Sequence, residues 1–153
     1  MVGWWIGWTM LACGSKSEPT PCEPPGTQVT SPRAAGCLTV RDDRLLLVQM
    51  KDGRWSIPGG YVEEGEDSAT TAARETLEEA SVTVVVGAVA CAAERTGFVA
   101  HQCTMTGVPN AEGDGRETLD AQFLSADEIA ALPDTALRFP VQRAAYLRAL
   151  GQK

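Results

Sequence analysis

The sequence predicts a single α/β domain that follows an apolar segment and a proline-rich linker. The chain has 153 residues, of which 44% are hydrophobic and 22% are charged, a size and composition suited to one soluble domain with a real core. Short apolar runs between turn residues indicate β-strands, and three stretches with helical spacing of apolar residues indicate α-helices. We therefore divide the chain into residues 1–13, 14–32 and 33–153, of which the last is the folded domain.

Residues 2–13, VGWWIGWTMLAC, are almost wholly apolar but too few to span a bilayer as a helix. Their number suits the apolar core of a secretory signal, and the ending TMLACGSK resembles bacterial lipoprotein signals, in which the cysteine is lipidated. Two hypotheses stay open. Either Cys13 carries a membrane anchor, or the segment is an apolar tail or a mis-chosen start and the protein is cytoplasmic.

Residues 14–32 contain five prolines and several small polar residues, a composition that buries too little apolar surface to fold. This pattern predicts a linker without a strand or helix partner. If Cys13 is lipidated, the linker is a membrane tether. Removing residues 1–32 is expected to leave a folded domain.

The predicted domain begins with a hairpin of two strands, 35–40 and 44–50, joined through Asp42 and Asp43. A turn-rich stretch follows, and Gly59 and Gly60 within it provide backbone that can approach a ligand closely. The later elements are strands over 82–94, 98–107 and 121–125, a polar loop over 109–117, a short helix from the Ser125–Glu128 capping box to about Pro133, and an amphipathic helix over 139–150.

The charge of the chain restricts its partners. A formal net charge of −7 and an isoelectric point near 4.7 argue against a protein that holds a nucleic acid polymer through its phosphates. A small phosphate-bearing substrate is compatible with this charge if a metal ion or a few placed cations meet it.

The cysteines and the single histidine offer little metal-binding chemistry. Five cysteines show no CxxC pair, which argues against a zinc site. Cys37, Cys91 and Cys103 lie among apolar residues and are expected to be buried free thiols, whereas Cys22 has no obvious role. His101 is expected to be a strand residue, and without a second histidine a catalytic triad has little support.

Residues 60–82 hold seven of the 20 acidic residues and one basic residue, Arg74. Asp67 or Ser68 can cap a helix here. Apolar spacing predicts that one helical face is buried, formed by Ala69, Ala72, Ala73, Leu77 and Ala80.

Three carboxylates, Glu75, Glu78 and Glu79, are predicted to share the opposite face of this helix, where they repel one another. Two interpretations follow. The patch is either a solvated acidic face, relieved by the pair between Arg74 and Glu78, or a site for a hard divalent cation such as Mg²⁺, which prefers oxygen ligands.

The whole stretch resembles the Nudix box of the Nudix hydrolase family, Gx5Ex7REUxEExGU, in which U is aliphatic. Gly60 and Glu66 match its beginning, and RETLEEASV over 74–82 matches its end. The resemblance extends over about residues 33–150. Two positions differ, because Thr76 replaces an aliphatic residue and Ser81 replaces a glycine. Ser81 should cost on the order of 1 kcal/mol or shift the helix end, since a glycine there commonly takes a left-handed conformation.

This resemblance implies an α/β/α sandwich around a mixed β-sheet and a hydrolase that requires Mg²⁺ or Mn²⁺. The implied metal ligands are the backbone oxygen of Gly60 and the carboxylates of Glu75, Glu78 and Glu79. Glu75 is also the implied general base.

Three further residues receive roles from the resemblance. Glu66 and Arg74 would orient the carboxylate cluster through hydrogen bonds. Glu117 is either a further metal ligand or an ordinary loop acid.

The implied substrate is a nucleoside diphosphate linked to another moiety. Phe98 is either an aromatic that stacks on a base or a core residue, and Lys51 and Arg54 are either phosphate contacts or surface cations in a turn. A non-catalytic nucleotide-binding or regulatory module with the same fold is the alternative function. The sequence specifies neither the nucleoside nor the oligomeric state.

Overall fold

The structure is a computed structural model that describes residues 20–24, 29–106 and 115–151. Its elements in chain order are β1 (Ala34–Arg41), β2 (Arg44–Met50), β3 (Trp55–Ser56), β4 (Gly59–Tyr61), α1 (Ser68–Ala80), β5 (Thr83–Ala93), β6 (Phe98–Thr106), β7 (Thr118–Ser125), α2 (Ala126–Ala131) and α3 (Arg143–Ala149). Two short 3₁₀ turns, Asp134–Ala136 and Pro140–Gln142, lie between α2 and α3.

The strands form one mixed sheet in the order β3-β2-β1-β6-β5, with β4 also paired to β1 and β7 to β2. β1 is antiparallel to β2 and β4 but parallel to β6. The predicted hairpin is confirmed, and Asp42 and Asp43 make its turn with φ angles of 49° and 56°. β7 begins earlier than the predicted strand over 121–125, because it pairs with β2 as far as Met50 and Thr118.

Helices cover both faces of this sheet, which confirms the predicted α/β/α sandwich. Successive residues of β2 alternate between the faces, as the pleat of a strand requires. Leu45 and Leu47 pack in a buried cluster that includes residues of α2 and α3. Leu46 and Val48 pack in a second cluster that contains Ala80 of α1.

Both predicted side-chain caps are present, whereas the last predicted helix, over 139–150, begins only at Arg143 and has no side-chain cap. Asp67 is the N-cap of α1, and its carboxylate accepts a hydrogen bond from the Thr70 backbone N–H at 2.7 Å. Ser125 caps α2 in a complete capping box with Glu128. Ser81 ends α1 in the left-handed conformation, with φ 56° and ψ 26°, so this serine adopts the backbone geometry that a glycine favours.

The predicted buried face of α1 is partly wrong. Leu77 is 52% exposed, and the buried residues of the helix are Thr71, Ala72, Thr76, Glu79 and Ala80. Because α1 packs on β1, β4 and β5 and also touches β7, its buried face is rotated towards Glu79. Buried Thr76 satisfies its hydroxyl by donating to the Ala72 carbonyl at 2.7 Å.

The expectation of buried free thiols is also wrong. Cys22 is joined to Cys91, and Cys37 is joined to Cys103. The sequence separations of 69 and 66 residues give no local motif. The second disulfide links the neighbouring strands β1 and β6.

The amino-terminal predictions have different outcomes. Residues 20–24 of the expected linker do have a strand partner, because Glu23 forms an antiparallel bridge with Ala92 of β5. The proposed signal, the anchor at Cys13, and residues 14–19 and 25–28 of the proposed tether over 14–32 lie outside the described residues. No helix of the described part of the chain is long and apolar enough to cross a membrane.

Candidate active site

Two consecutive glycines of β4 bring the sheet and α1 into close contact. Gly59 pairs with Gly36 and Gly60 pairs with Ala35 of β1. A Cβ atom on Gly59 would lie 2.6 Å from the Ala35 carbonyl oxygen, so only glycine fits between the two strands. A Cβ atom on Gly60 would overlap the carboxylate of Glu75. The glycine pair therefore brings the Glu75 carboxylate directly against the β4 backbone.

Arg74 holds Glu66 in a two-pronged ion pair beside this contact. Its Nε donates to Glu66 Oε1 at 2.8 Å, and its Nη2 donates to Glu66 Oε2 at 3.1 Å. Thr71 Oγ1 donates to the same carboxylate at 2.7 Å. These bonds, the Arg74 guanidinium first, lower the pKa of Glu66 to about 2. Nη2 also donates to the Tyr61 carbonyl at 3.1 Å, which joins α1 to β4.

The same guanidinium contacts two further carboxylates of α1. Arg74 Nη1 donates to Glu75 Oε1 at 2.8 Å and to Glu78 Oε2 at 3.1 Å. The Glu75 side chain is 13% exposed and the Glu78 side chain is 56% exposed. One cation thus bridges an inner and an outer carboxylate.

Glu79 lies deepest and does not contact Arg74. It is 4% exposed, and Oε2 accepts a hydrogen bond from the Gly59 N–H at 2.8 Å. Burial raises the pKa of Glu79 to about 7, opposed by this hydrogen bond. Burial also raises the pKa of Glu75, although Arg74 opposes the shift. The ionised forms of both groups would be favoured by a further cation.

An acidic cleft of about 490 Å³ connects these groups to the start of β7. Its lining residues are Glu63, Arg74, Glu75, Glu78, Glu79, Arg116 and Glu117. Glu117, predicted as a loop acid or a metal ligand, therefore lies in the same cleft as the three helix carboxylates. Neither Glu63 nor Arg116 was singled out by sequence, since neither belongs to a recognisable motif.

The donor chemistry of the acidic cleft fits a hard divalent cation, since carboxylate and carbonyl oxygens are the ligands that Mg²⁺ prefers. The side chains are not arranged around an ion: among the described residues, no three His, Cys, Asp or Glu side chains could hold a metal together. Arg74 instead contacts Glu75 and Glu78, and the Glu79 carboxylate accepts a hydrogen bond from the Gly59 N–H.

A second, largely apolar cavity of about 400 Å³ adjoins the same glycine pair. Phe98 lines it, together with Ile57, Phe139 and Arg138. The Arg138 guanidinium lies 5.4 Å from the centre of the Phe139 ring. Arg138 was not predicted, because an isolated arginine before a short helix carries no motif.

The two cations predicted to bind phosphate lie elsewhere. Arg54 forms an ion pair with Asp52 in the turn between β2 and β3, at 2.6 Å. The Lys51 backbone N–H donates to the Glu117 carbonyl at 3.2 Å, so its backbone is adjacent to the acidic cleft. Neither residue lines the acidic cleft or the apolar cavity.

Two sequence comparisons found known proteins that are similar to this chain. The family model described as the NUDIX domain matches residues 30–145. A "MutT-like protein" of Streptomyces ambofaciens is 31% identical over 115 residues, which cover 72% of this chain and 73% of that protein.

Two solved structures show the same fold. An ADP-ribose pyrophosphatase from Streptococcus suis aligns with a TM-score of 0.60 and 24% identity, over 76% of this chain and 87% of that one. An Ap4A hydrolase of C. elegans aligns with a TM-score of 0.57 and 20% identity, over 77% of this chain and 92% of that one.

Proposed function

Because this chain belongs to the Nudix hydrolase family, we propose that it is a divalent-metal-dependent hydrolase of a pyrophosphate. The proposed substrate is a nucleoside diphosphate linked to another moiety. The observation that carries the proposal is the pair of carboxylates of buried Glu79 and partly buried Glu75, held against the Gly59–Gly60 backbone in an acidic cleft.

The structural cost of this cluster supports a ligand-binding role. Glu79 is buried with its pKa raised to about 7, and Arg74 is already shared among four other carboxylates. A cluster kept only for stability would gain from replacing such a carboxylate by an uncharged residue. A cation that binds the folded protein would offset the free-energy cost of burying these carboxylates.

Mg²⁺ or Mn²⁺ would be held by Glu75, Glu78 and Glu79, with the Gly60 backbone oxygen and Glu117. When bound, the ion neutralises the charge of the diphosphate and makes a water molecule more acidic. Glu75 is the proposed general base that takes the proton of the attacking water.

Glu66 and Arg74 are proposed to position the carboxylate cluster. Glu66 accepts two hydrogen bonds from Arg74 and so fixes the guanidinium whose Nη1 reaches Glu75. Hydrogen-bonded groups behind metal ligands commonly orient them in this way.

The apolar cavity on the other side of the glycine pair is the proposed place for the nucleoside. Its volume of about 400 Å³ falls within the usual range for small-molecule sites. Phe98 offers a ring face for stacking, and Arg138 offers a cation for a phosphate. Lys51 and Arg54 would reach the substrate only if their turn moved, so Arg138 replaces them in this proposal.

A hydrolysis screen tests the proposal. The wild-type protein is incubated with Mg²⁺ or Mn²⁺ and with ADP-ribose, Ap4A and UDP-sugars, and a mononucleotide product is sought. Glu75→Gln should lose most turnover, whereas Glu64→Gln, which changes an exposed carboxylate outside both cavities, should keep it. Metal-dependent nucleotide binding without hydrolysis would favour the non-catalytic module. The ion pairs of Arg74 with Glu75 and Glu78 are compatible with that alternative, because they occupy two of the proposed metal ligands.

A further inference from the structure

Residues 20–24 form part of the wall of the apolar cavity. Thr20 and Cys22 line the cavity from this segment, next to Cys91 of β5 and Gln142 before α3. The buried hydroxyl of Thr20 has no hydrogen-bond partner among the described residues. This wall therefore includes a buried polar atom that the described residues leave unsatisfied.

The backbone of the segment continues the sheet at its edge. Glu23 N–H donates to the Ala92 carbonyl at 2.8 Å, and Ala92 N–H donates to the Glu23 carbonyl at 2.9 Å. β5 is the last strand in the order of the sheet, so Glu23 covers part of its outer edge.

Side chains of the α3 region bind the same segment. The Gln142 side-chain amide accepts from the Cys22 N–H at 3.0 Å and donates to the Thr20 carbonyl at 3.1 Å. Arg148 of α3 donates to the Cys22 carbonyl at 2.6 Å. The segment thus connects β5 with the α3 region beside the cavity.

The covalent attachment of this segment is the disulfide between Cys22 and Cys91. Cys22 is 2% exposed and Cys91 is 3% exposed, within the cluster that supports α2 and α3. Without the disulfide, the segment is held only by a few hydrogen bonds, and a short segment with so few contacts opens readily.

We propose that the Cys22–Cys91 disulfide holds residues 20–24 as a wall of the substrate site, and that this wall sets the affinity for the nucleoside. The inference rests on the proposed function. Gln142, whose amide both donates and accepts, and the aromatic Phe98 line the same cavity. This lining suits an aromatic ring with hydrogen-bonding edges, which is the chemistry of a nucleobase.

Reduction of this disulfide has a consequence that is separate from the chemistry of hydrolysis. A dithiol supplies two electrons and two protons, the S–S bond breaks, two thiols form, and the dithiol closes to its own disulfide. The segment is then released and the cavity loses a wall. None of the residues that line the acidic cleft belongs to the segment, so the hydrolytic step itself is unchanged.

Steady-state kinetics of the full chain test the inference. In Cys22→Ala/Cys91→Ala, KM should rise roughly tenfold while kcat stays within about twofold, the pattern of lost uniform binding. The matched control, Cys37→Ala/Cys103→Ala, removes the other disulfide and should keep the KM of wild type. Dithiothreitol should raise the KM of this control but leave that of Cys22→Ala/Cys91→Ala unchanged.

Two further measurements test the inference independently of the cysteine variants and of turnover, respectively. Arg148→Ala cuts one contact of the segment while the disulfide stays, and should raise KM by a smaller factor. Calorimetric titration with AMP and UMP in EDTA measures binding without turnover. Weaker binding by Cys22→Ala/Cys91→Ala supports the inference even if no compound is hydrolysed, a result that would overturn the proposed function alone. Equal KM and equal affinity in all variants, or no binding by wild type, would overturn the inference.

Discussion

The Glu75 carboxylate lies against the Cα atom of Gly60, so closely that a Cβ atom on residue 60 would overlap it. The neighbouring residue, Gly59, has a different constraint, because its Cβ atom would meet the backbone of Ala35 and Gly36 at 2.6 and 2.8 Å. A side-chain carboxylate can move aside, whereas paired strand backbones cannot. Gly60 therefore leaves room for a carboxylate of the candidate site, whereas Gly59 allows β1 and β4 to pair.

Gly60→Ala should impair activity without unfolding the protein. The added methyl group displaces the Glu75 carboxylate, and a shift of about 1 Å in a catalytic group can reduce turnover roughly 100-fold. Gly59→Ala should instead lower the melting temperature, because the strands β1 and β4 must separate. Thermal melting and hydrolysis rates of both variants check this, and similar stability losses in the two would contradict it.

The ion pair between Glu66 and Arg74 predicts a pH dependence of stability. The pKa of Glu66 is lowered from about 4.5 to about 2 in the folded protein. A carboxyl group whose pKa is lowered by folding stabilises the fold at pH values above its pKa in the unfolded chain. That stabilisation is lost as the pH falls from about 4.5 to about 2. Glu66→Gln should therefore be less stable than wild type near neutral pH and lose less stability in the acid window.

Urea unfolding at several pH values measures this difference. Glu64→Gln is the matched control, because Glu64 is an exposed carboxylate of the same loop. Its pH profile should follow that of wild type. A Glu66→Gln profile parallel to wild type through the acid window would show that the Arg74 contact does not stabilise the fold.

Sequence predicted those parts of the molecule that depend on local patterns. The β1–β2 hairpin, the Asp67 cap and the Ser125–Glu128 capping box follow from residues close in the chain. The resemblance of residues 60–82 to the Nudix box likewise implied that Gly60 and the helix carboxylates belong together. Periodicity misplaced Leu77, because helix packing against β1, β4 and β5, not the count of apolar residues, decides which side of α1 is buried.

The features that sequence could not predict depend on distant residues. Cys22 and Cys91 are 69 residues apart, and only the position of residues 20–24 at the edge of β5 brings them together. Arg138 reaches the apolar cavity because the chain after Pro133 folds back along Trp55, where Arg138 N–H donates to the Trp55 carbonyl at 2.9 Å. Neither arrangement leaves a spacing signal.

Each disulfide should stabilise the domain. Loops of 69 and 66 residues lose enough unfolded-state entropy on closure to contribute about 4 kcal/mol by the chain-entropy relation. Denaturation of wild type with and without dithiothreitol should show a large loss of stability on reduction, and each pair of Cys→Ala substitutions should show part of that loss.

Because residues 20–24 belong to the fold, deleting residues 1–32 should also destabilise the domain, contrary to the expectation from composition. Deletion of residues 1–19 is the control, and equal stability of both truncated chains would contradict this role.

The central claim is that the acidic cleft binds a divalent cation for hydrolysis, and Glu78→Gln tests it most directly. Glu78 is the outer carboxylate, 56% exposed and paired only at i, i+4 with Arg74 among its described contacts. Its loss should change metal-free stability by no more than about 0.5 kcal/mol. The variant is therefore expected to fold as wild type does.

The decisive measurement is the melting temperature with and without Mg²⁺ for wild type, Glu78→Gln and Glu64→Gln, with hydrolysis rates from the same samples. Since only a ligand of the folded state raises its apparent stability, Mg²⁺ should raise the melting temperature of wild type and Glu64→Gln but raise that of Glu78→Gln less. Turnover of Glu78→Gln should fall roughly 100-fold or more, because a metal ligand is lost. Equal responses to Mg²⁺ in wild type and Glu78→Gln, with equal turnover, would contradict the account.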